Sequence, residues 1–103
     1  MLCAHTVRRL KPGTYEEFRE KFGPDPDNRP EGWVAFTMLR SLANPDEVVT
    51  FGYFDGTFEE LERNQSEQGY DEVRGATDPL VDAVIANGVY EIVTSLTTEG
   101  ATA

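Results

Sequence analysis

The chain has 103 residues, 39% hydrophobic and 11% aromatic, with 19 acidic against 9 basic side chains and a formal net charge of -10. That length suits one domain, 1–103, around one modest core, and the composition is that of a globular chain rather than a disordered one. The acidic balance opposes phosphate, so neither nucleic acid nor an anionic membrane is an expected partner, and no apolar run approaches the ~20 residues of a helical membrane span.

Leu2 to Leu10 reads as a first strand, weakened by Arg8 and Arg9, and Lys11-Pro12-Gly13 breaks it. Thr14 with Glu17 three residues on has the capping-box pattern, and Tyr15, Phe18 and Phe22 recur at helical spacing, so a helix is expected over about Tyr15 to Phe22. Gly23 to Gly32 is rich in proline and reads as an extended loop. Trp33 to Arg40 and Glu47 to Phe54 read as two strands of a hairpin around the turn Asn44-Pro45-Asp46. Asp55-Gly56 ends the second of these. Thr57, with Glu60 in the box position, then opens a helix to about Gln68, and Asp71 to Arg74 adds a turn. Asp78-Pro79 reads as the start of a third helix with Leu80, Val81, Val84 and Ile85 on one stripe and Asn87-Gly88 as its stop. Val89 to Leu96 is then the last strand, and Thr97 to Ala103 a frayed tail.

Side chains alternate between the faces of a strand. Simple alternation groups Val34, Phe36, Met38 and Arg40 against Trp33, Ala35, Thr37 and Leu39, and Val49, Phe51 and Tyr53 against Val48, Thr50, Gly52 and Phe54. Neither grouping is polar, whereas an antiparallel sheet with one wet face alternates cleanly. Short helices can cover one face only, so the sequence predicts a homodimer closed through the other. Arg8 and Arg9 also interrupt any apolar leader, which makes a cytoplasmic location the expectation. Cys3 is the only cysteine, too few for an internal disulfide or a thiolate metal cage.

The element order βαββαβ resembles the ferredoxin-like fold of the dimeric α/β-barrel proteins, and within them the antibiotic-biosynthesis-monooxygenase-like family. The residues that carry the likeness are Lys11-Pro12-Gly13 before the first helix and Pro30-Glu31-Gly32-Trp33 entering the second strand. Leu39-Arg40-Ser41-Leu42 followed by Asn44-Pro45-Asp46-Glu47, and Phe58-Glu59-Glu60-Leu61 after an aromatic strand end, complete it. The resemblance implies an α+β domain with a four-stranded antiparallel sheet, two subunits pairing sheets into a barrel, and a pocket between each sheet and its own helices. Some members oxidise polyphenolic or quinol substrates with molecular oxygen and no bound cofactor; others degrade haem or have no known reaction.

Oxygenation without a cofactor requires a substrate that yields an electron once deprotonated, held dry and oriented, with its anion stabilised. Trp33, Phe36, Phe51, Tyr53 and Phe54 could wall such a site, although plain core and dimer packing is the simpler account of them. His5, the only imidazole, and Tyr53 are the candidate proton carriers; His5 also fits a structural or interface histidine. Arg40 could orient an anionic substrate or pair with Glu47, and Asn64 and Tyr70 flank the end of the second helix, where a pocket mouth would lie. Haem degradation fits poorly, because its axial histidine is expected in the second half of the chain, which has none. Asp25, Asp27 and Asn28 match no complete calcium loop, so no metal or cofactor is expected. The expected function is a cofactor-independent monooxygenase of a small aromatic or quinol-like metabolite. A non-catalytic binder of a small hydrophobic molecule, or a structural dimerisation domain of the same fold, is the alternative.

Overall fold

A computed structural model of the chain describes residues 1–22, 31–67 and 70–96, with residues 67 and 70–73 described by backbone alone. The elements are β1 (Leu2–Leu10), α1 (Tyr15–Phe22), β2 (Trp33–Arg40), β3 (Glu47–Phe54), α2 (Phe58–Glu67), α3 (Tyr70–Thr77), a 3-10 turn (Asp78–Leu80) and β4 (Val81–Glu91). The strands form one sheet in the order β2-β3-β1-β4, every pair antiparallel. This is the expected ferredoxin-like βαββαβ arrangement, with β1 and β3 at its centre. The proline-rich segment expected as a loop and the tail from Thr97 lie outside the described residues, apart from Glu31 and Gly32.

Local chemistry explains the element ends. Thr57 and Glu60 close the expected box at α2: the Thr57 N–H donates to Glu60 Oε1 at 3.1 Å, and the Glu60 N–H donates to Thr57 Oγ1 at 3.2 Å. Thr14 differs. Its carbonyl accepts from the Phe18 N–H at 2.9 Å, as an N-cap should, but its hydroxyl donates to the carbonyls of Lys11 at 2.8 Å and Leu80 at 3.3 Å. The hydroxyl therefore ties the helix entry to the 3-10 turn, and Glu17 bonds Lys21 at 3.0 Å instead of reaching back. In the β2–β3 turn, Asn44 Oδ1 accepts from the Asp46 N–H at 3.1 Å while its carbonyl accepts from the Glu47 N–H at 3.0 Å.

The third helix read from Asp78 to Gly88 is not formed. Pro79 does start a turn, but only one, and Val81 to Glu91 continue as strand β4 paired with β1 from Leu10↔Val81 to Leu2↔Glu91. The physical reason is twofold. Val81, Val84, Ile85 and Val89 are β-branched and favour the pleated state. Two register shifts, opposite Val7/Arg8 and Arg9/Leu10, break the two-residue alternation and leave a spacing that mimics a helical stripe.

All the helix-side packing lies on one face of the sheet. Leu10, Phe18, Phe22, Val48 and Leu80 are buried together, with Tyr15, Met38 and Val81 packed against them. Phe54 and Leu61 are also buried, the latter fully. The opposite face carries Cys3, His5 and Val7 of β1, Val49, Phe51 and Tyr53 of β3, and Thr37 and Leu39 of β2. Leu39 and Tyr53 on this face remain exposed, at 48% and 37%.

Candidate functional site

A bulge in β2 decides what the helix side can do. The register runs Trp33↔Phe54 and then Ala35↔Tyr53, so Val34 is the extra residue and Trp33 turns to the same side as Phe36 and Met38. Simple alternation had placed Trp33 on the other face. There the Trp33 ring meets Phe54 edge-on at 5.2 Å between centroids and covers Gly52, whose missing side chain makes the approach feasible. Its Nε1–H donates to Asn64 Oδ1 at 2.7 Å, and Asn64 Nδ2 donates to the Glu31 carbonyl at 3.0 Å. Asn64 thus joins α2 to the entry of β2. Gly32, at φ +93°, makes that entry possible: the Phe54 ring lies where a Cβ would stand, and the Asp55 N–H donates to the Gly32 carbonyl at 2.8 Å.

Next to this lies a buried polar patch that the sequence did not suggest. Arg8 is 5% exposed, with its guanidinium carbon 4.6 Å from the Phe22 ring centroid and 5.6 Å from that of Phe18. Its Nη1 donates to Thr50 Oγ1 at 2.8 Å. Thr6 and Thr50 are register partners on β1 and β3, both buried, and the Thr6 hydroxyl donates to Asn87 Oδ1 on β4 at 3.0 Å. Phe36 closes on Phe22 at 6.0 Å between centroids. The signal was present in the alternation: Thr6, Arg8 and Leu10 fall on one face, and Leu10 belongs to the core.

The candidates from sequence therefore fall into separate groups. Trp33, Phe36 and Asn64 come together on the helix side. His5, Phe51 and Tyr53 lie on the face without helices: His5 is opposite Phe51, its ring meets Tyr90 edge-on at 5.9 Å, and Phe51 and Tyr53 stand 5.8 Å apart. The sheet separates the two groups. His5 Nδ1 is buried with no hydrogen-bond partner among the described residues. Arg40 belongs to neither group. Its Nε donates to the Pro45 carbonyl at 2.8 Å and its guanidinium stacks over Tyr15 at 3.9 Å, and it forms no ion pair with Glu47 among the described residues. Tyr70 opens α3, and its side chain lies outside the described part. Cys3 lies on the His5 face, where burial pushes its thiol up and away from the reactive thiolate. Asp25, Asp27 and Asn28 lie outside the described residues; within them no three His, Cys, Asp or Glu side chains gather as a metal site would require. No described helix is long and apolar enough to cross a membrane.

No family model matches the sequence, and no curated protein does. Solved structures do match. A Deinococcus radiodurans protein provisionally assigned as an antibiotic biosynthesis monooxygenase superposes with a TM-score of 0.78 at 14% identity, over 97% of this chain and 100% of that one. SnoaB, a cofactor-independent oxygenase from Streptomyces nogalater, gives 0.77 at 18% identity over 94% and 97% of the two chains. Rv0793 from Mycobacterium tuberculosis gives 0.77 at 14% identity, over 93% and 98%. With these TM-scores over nearly the whole of each chain, the chain has the ferredoxin-like fold of the antibiotic-biosynthesis-monooxygenase-like proteins.

Proposed function

We propose that this protein is a cofactor-independent monooxygenase of a small aromatic or quinol-like metabolite, bound between the sheet and its helices. The observation that carries the reading is the Trp33–Asn64 pair: an aromatic plane held by a 2.7 Å hydrogen bond over a strand glycine, beside the buried Arg8–Thr50 patch. A flat apolar surface with a few fixed polar groups is what an oxygenated aromatic needs. The fold shared with SnoaB, itself a cofactor-independent oxygenase, supports the same class of chemistry. In that reaction the substrate loses a proton, and the resulting anion transfers an electron to O2. Recombination at the ring carbon then forms the new C–O bond as a peroxide, which takes the proton back from solvent and loses water as its O–O bond breaks and the remaining C–H hydrogen leaves. For an anthrone-type CH2 the sum is CH2 + O2 → C=O + H2O, so no external reductant is required. Asn64 and Trp33 orient the ring and Phe36 walls it. His5 and Tyr53 face the other way, beyond the 2.6–3.2 Å reach that direct proton transfer requires. In this reading they, with Phe51, belong to the seam of a homodimer closed through the helix-free face.

That separation also favours a second reading, a binder without turnover, because the two proton carriers expected from sequence lie across the sheet from Trp33 and Asn64. Oxygen-electrode measurements with a panel of hydroquinones and anthrones distinguish the two. Uptake that falls in Asn64→Ala supports the enzyme. Tight binding of the same compounds with no uptake supports the binder. Sedimentation tests the seam: the wild type runs as a dimer and Phe51→Asp as a folded monomer, and a monomeric wild type removes the barrel.

A further inference from the structure

We infer that Thr50 is the donor that fixes an oxygen of the bound aromatic molecule, with Arg8 as the positioning residue that turns the Thr50 hydroxyl toward it. The inference rests on the reading above for the ligand's place on the helix side, and narrows the ligand class to aromatics bearing a ring oxygen.

The argument is one of donors and acceptors. Thr50 is 4% exposed on the central strand β3, facing the helices with Val48 and Phe54. Arg8 Nη1 donates to its Oγ1 at 2.8 Å. A guanidinium carries five N–H donors and no acceptor, so Thr50 can only accept from Arg8 and its own hydrogen must point elsewhere. The Thr50 hydroxyl makes no other hydrogen bond among the described residues. A buried hydroxyl hydrogen without an acceptor is uncommon in native proteins and calls for an occupant. The bond from a cation also polarises the O–H, making it a better donor. Arg8 is held in place by the Phe18 and Phe22 rings and is itself buried, so the direction of the Thr50 hydroxyl is set before any ligand arrives.

Two further features narrow the class. Thr6, the register partner of Thr50, spends its hydrogen on Asn87 Oδ1 and keeps acceptor capacity on the same face. Donor and acceptor therefore stand side by side, which matches a phenolic hydroxyl. The same donor strengthens its hold when that hydroxyl ionises. Gly52, two residues along β3 on the same face, lies about 7 Å away and carries the Trp33 ring. That separation is close to the length of a phenol, so a ring beside Trp33 can set its oxygen on Thr50.

Equilibrium dialysis of the full chain against 2-naphthol and naphthalene tests this, since the two probes differ by one hydroxyl. Wild type is expected to prefer 2-naphthol by about three- to tenfold, the range of one hydrogen bond. Thr50→Val abolishes the preference and leaves naphthalene affinity unchanged, and Thr50→Ser retains it. Arg8→Met shrinks the preference, and Arg8→Lys, which keeps a cationic donor, restores part of it; a merely structural Arg8 would move both affinities together. Equal affinities in wild type, as expected if an ordered water alone satisfies Thr50, overturn the inference while leaving the site standing. So does a preference that survives Thr50→Val. No binding of either probe overturns the helix-side site and this inference together.

Discussion

Gly52→Ala is the sharpest probe of the Trp33 geometry. A Cβ at position 52 would stand 2.8 Å from Trp33 Cζ3, 3.1 Å from Cε3 and 3.3 Å from the Ala35 carbonyl oxygen. Carbon pairs settle at about 3.5–4.0 Å, so the ring must retreat by roughly 1 Å. Its Nε1–H is already bonded to Asn64 at 2.7 Å, and such a retreat carries the bond toward the ~3.5 Å at which it ceases to count. Overpacking of this kind costs about 1–3 kcal/mol, offset by about 0.4–1 kcal/mol because alanine restricts the unfolded chain. A net loss of about 1–2 kcal/mol lowers Tm by roughly 5–15 °C in a domain of this size. Trp33 is the only tryptophan, so its emission reports the displacement directly, alongside a thermal melt. A double-mutant cycle with Asn64→Ala completes the test: the cost of losing Asn64 should be smaller in the Gly52→Ala background, where the bond is already strained. An unchanged melting temperature and emission spectrum in Gly52→Ala would refute the stacking of Trp33 over Gly52 and the site built upon it.

Leu61→Ala removes a fully buried α2 side chain and should cost about 2–5 kcal/mol in chemical denaturation; a loss under about 1 kcal/mol would mean that α2 is not anchored there. Arg40→Ala gives up the Tyr15 stack and the Pro45 bond and should cost about 1 kcal/mol, with oxygen uptake retained. Uptake lost at unchanged Tm would instead assign Arg40 to the substrate. The Thr57 N–H, aided by the Thr57 hydroxyl and by Arg63, holds the Glu60 carboxyl below the ordinary carboxylate value. Because that folded-state value is depressed, the Glu60 contribution is present above the ordinary carboxylate value and is lost as the pH falls through the lowered folded one. The Tm difference between wild type and Glu60→Gln should therefore be visible at pH 7 and shrink as the pH is taken down into the acid range, and a difference independent of pH would contradict the box.

The legibility of the chain divides along the range of the interactions. Elements fixed by neighbours in sequence could be read: the α2 box at Thr57 and Glu60, the turn at Asn44 and Asp46, and the α1 stripe of Phe18 and Phe22. The last strand was misread because its identity depends on β1. Without that partner, Val81, Val84 and Ile85 at irregular spacing fit a helix as well as a bulged strand. The bulge at Val34 is equally silent in sequence, yet it carries Trp33 across the sheet to Asn64. Arg8 was taken as a blemish on a strand because a charge is expected to be wet. The rings of Phe18 and Phe22 and the Thr50 hydroxyl are among the groups that make its burial tolerable. His5 and Tyr53 were grouped with Asn64 by their chemistry alone, and chemistry says nothing about which side of a sheet a residue occupies.

The position of β1 also shapes how the chain must assemble. Earliest of the four strands in the chain, it lies between β3 and β4, and Leu2 at its start pairs with Glu91. Its pairing with β3 waits for the middle of the chain to leave the ribosome, and its pairing with β4 for the later residues. Closing such distant loops is slow, because their entropy is lost before any ladder bond repays it. During that interval a strand with apolar groups on both sides stands without neighbours, the condition under which nascent chains aggregate or recruit chaperones.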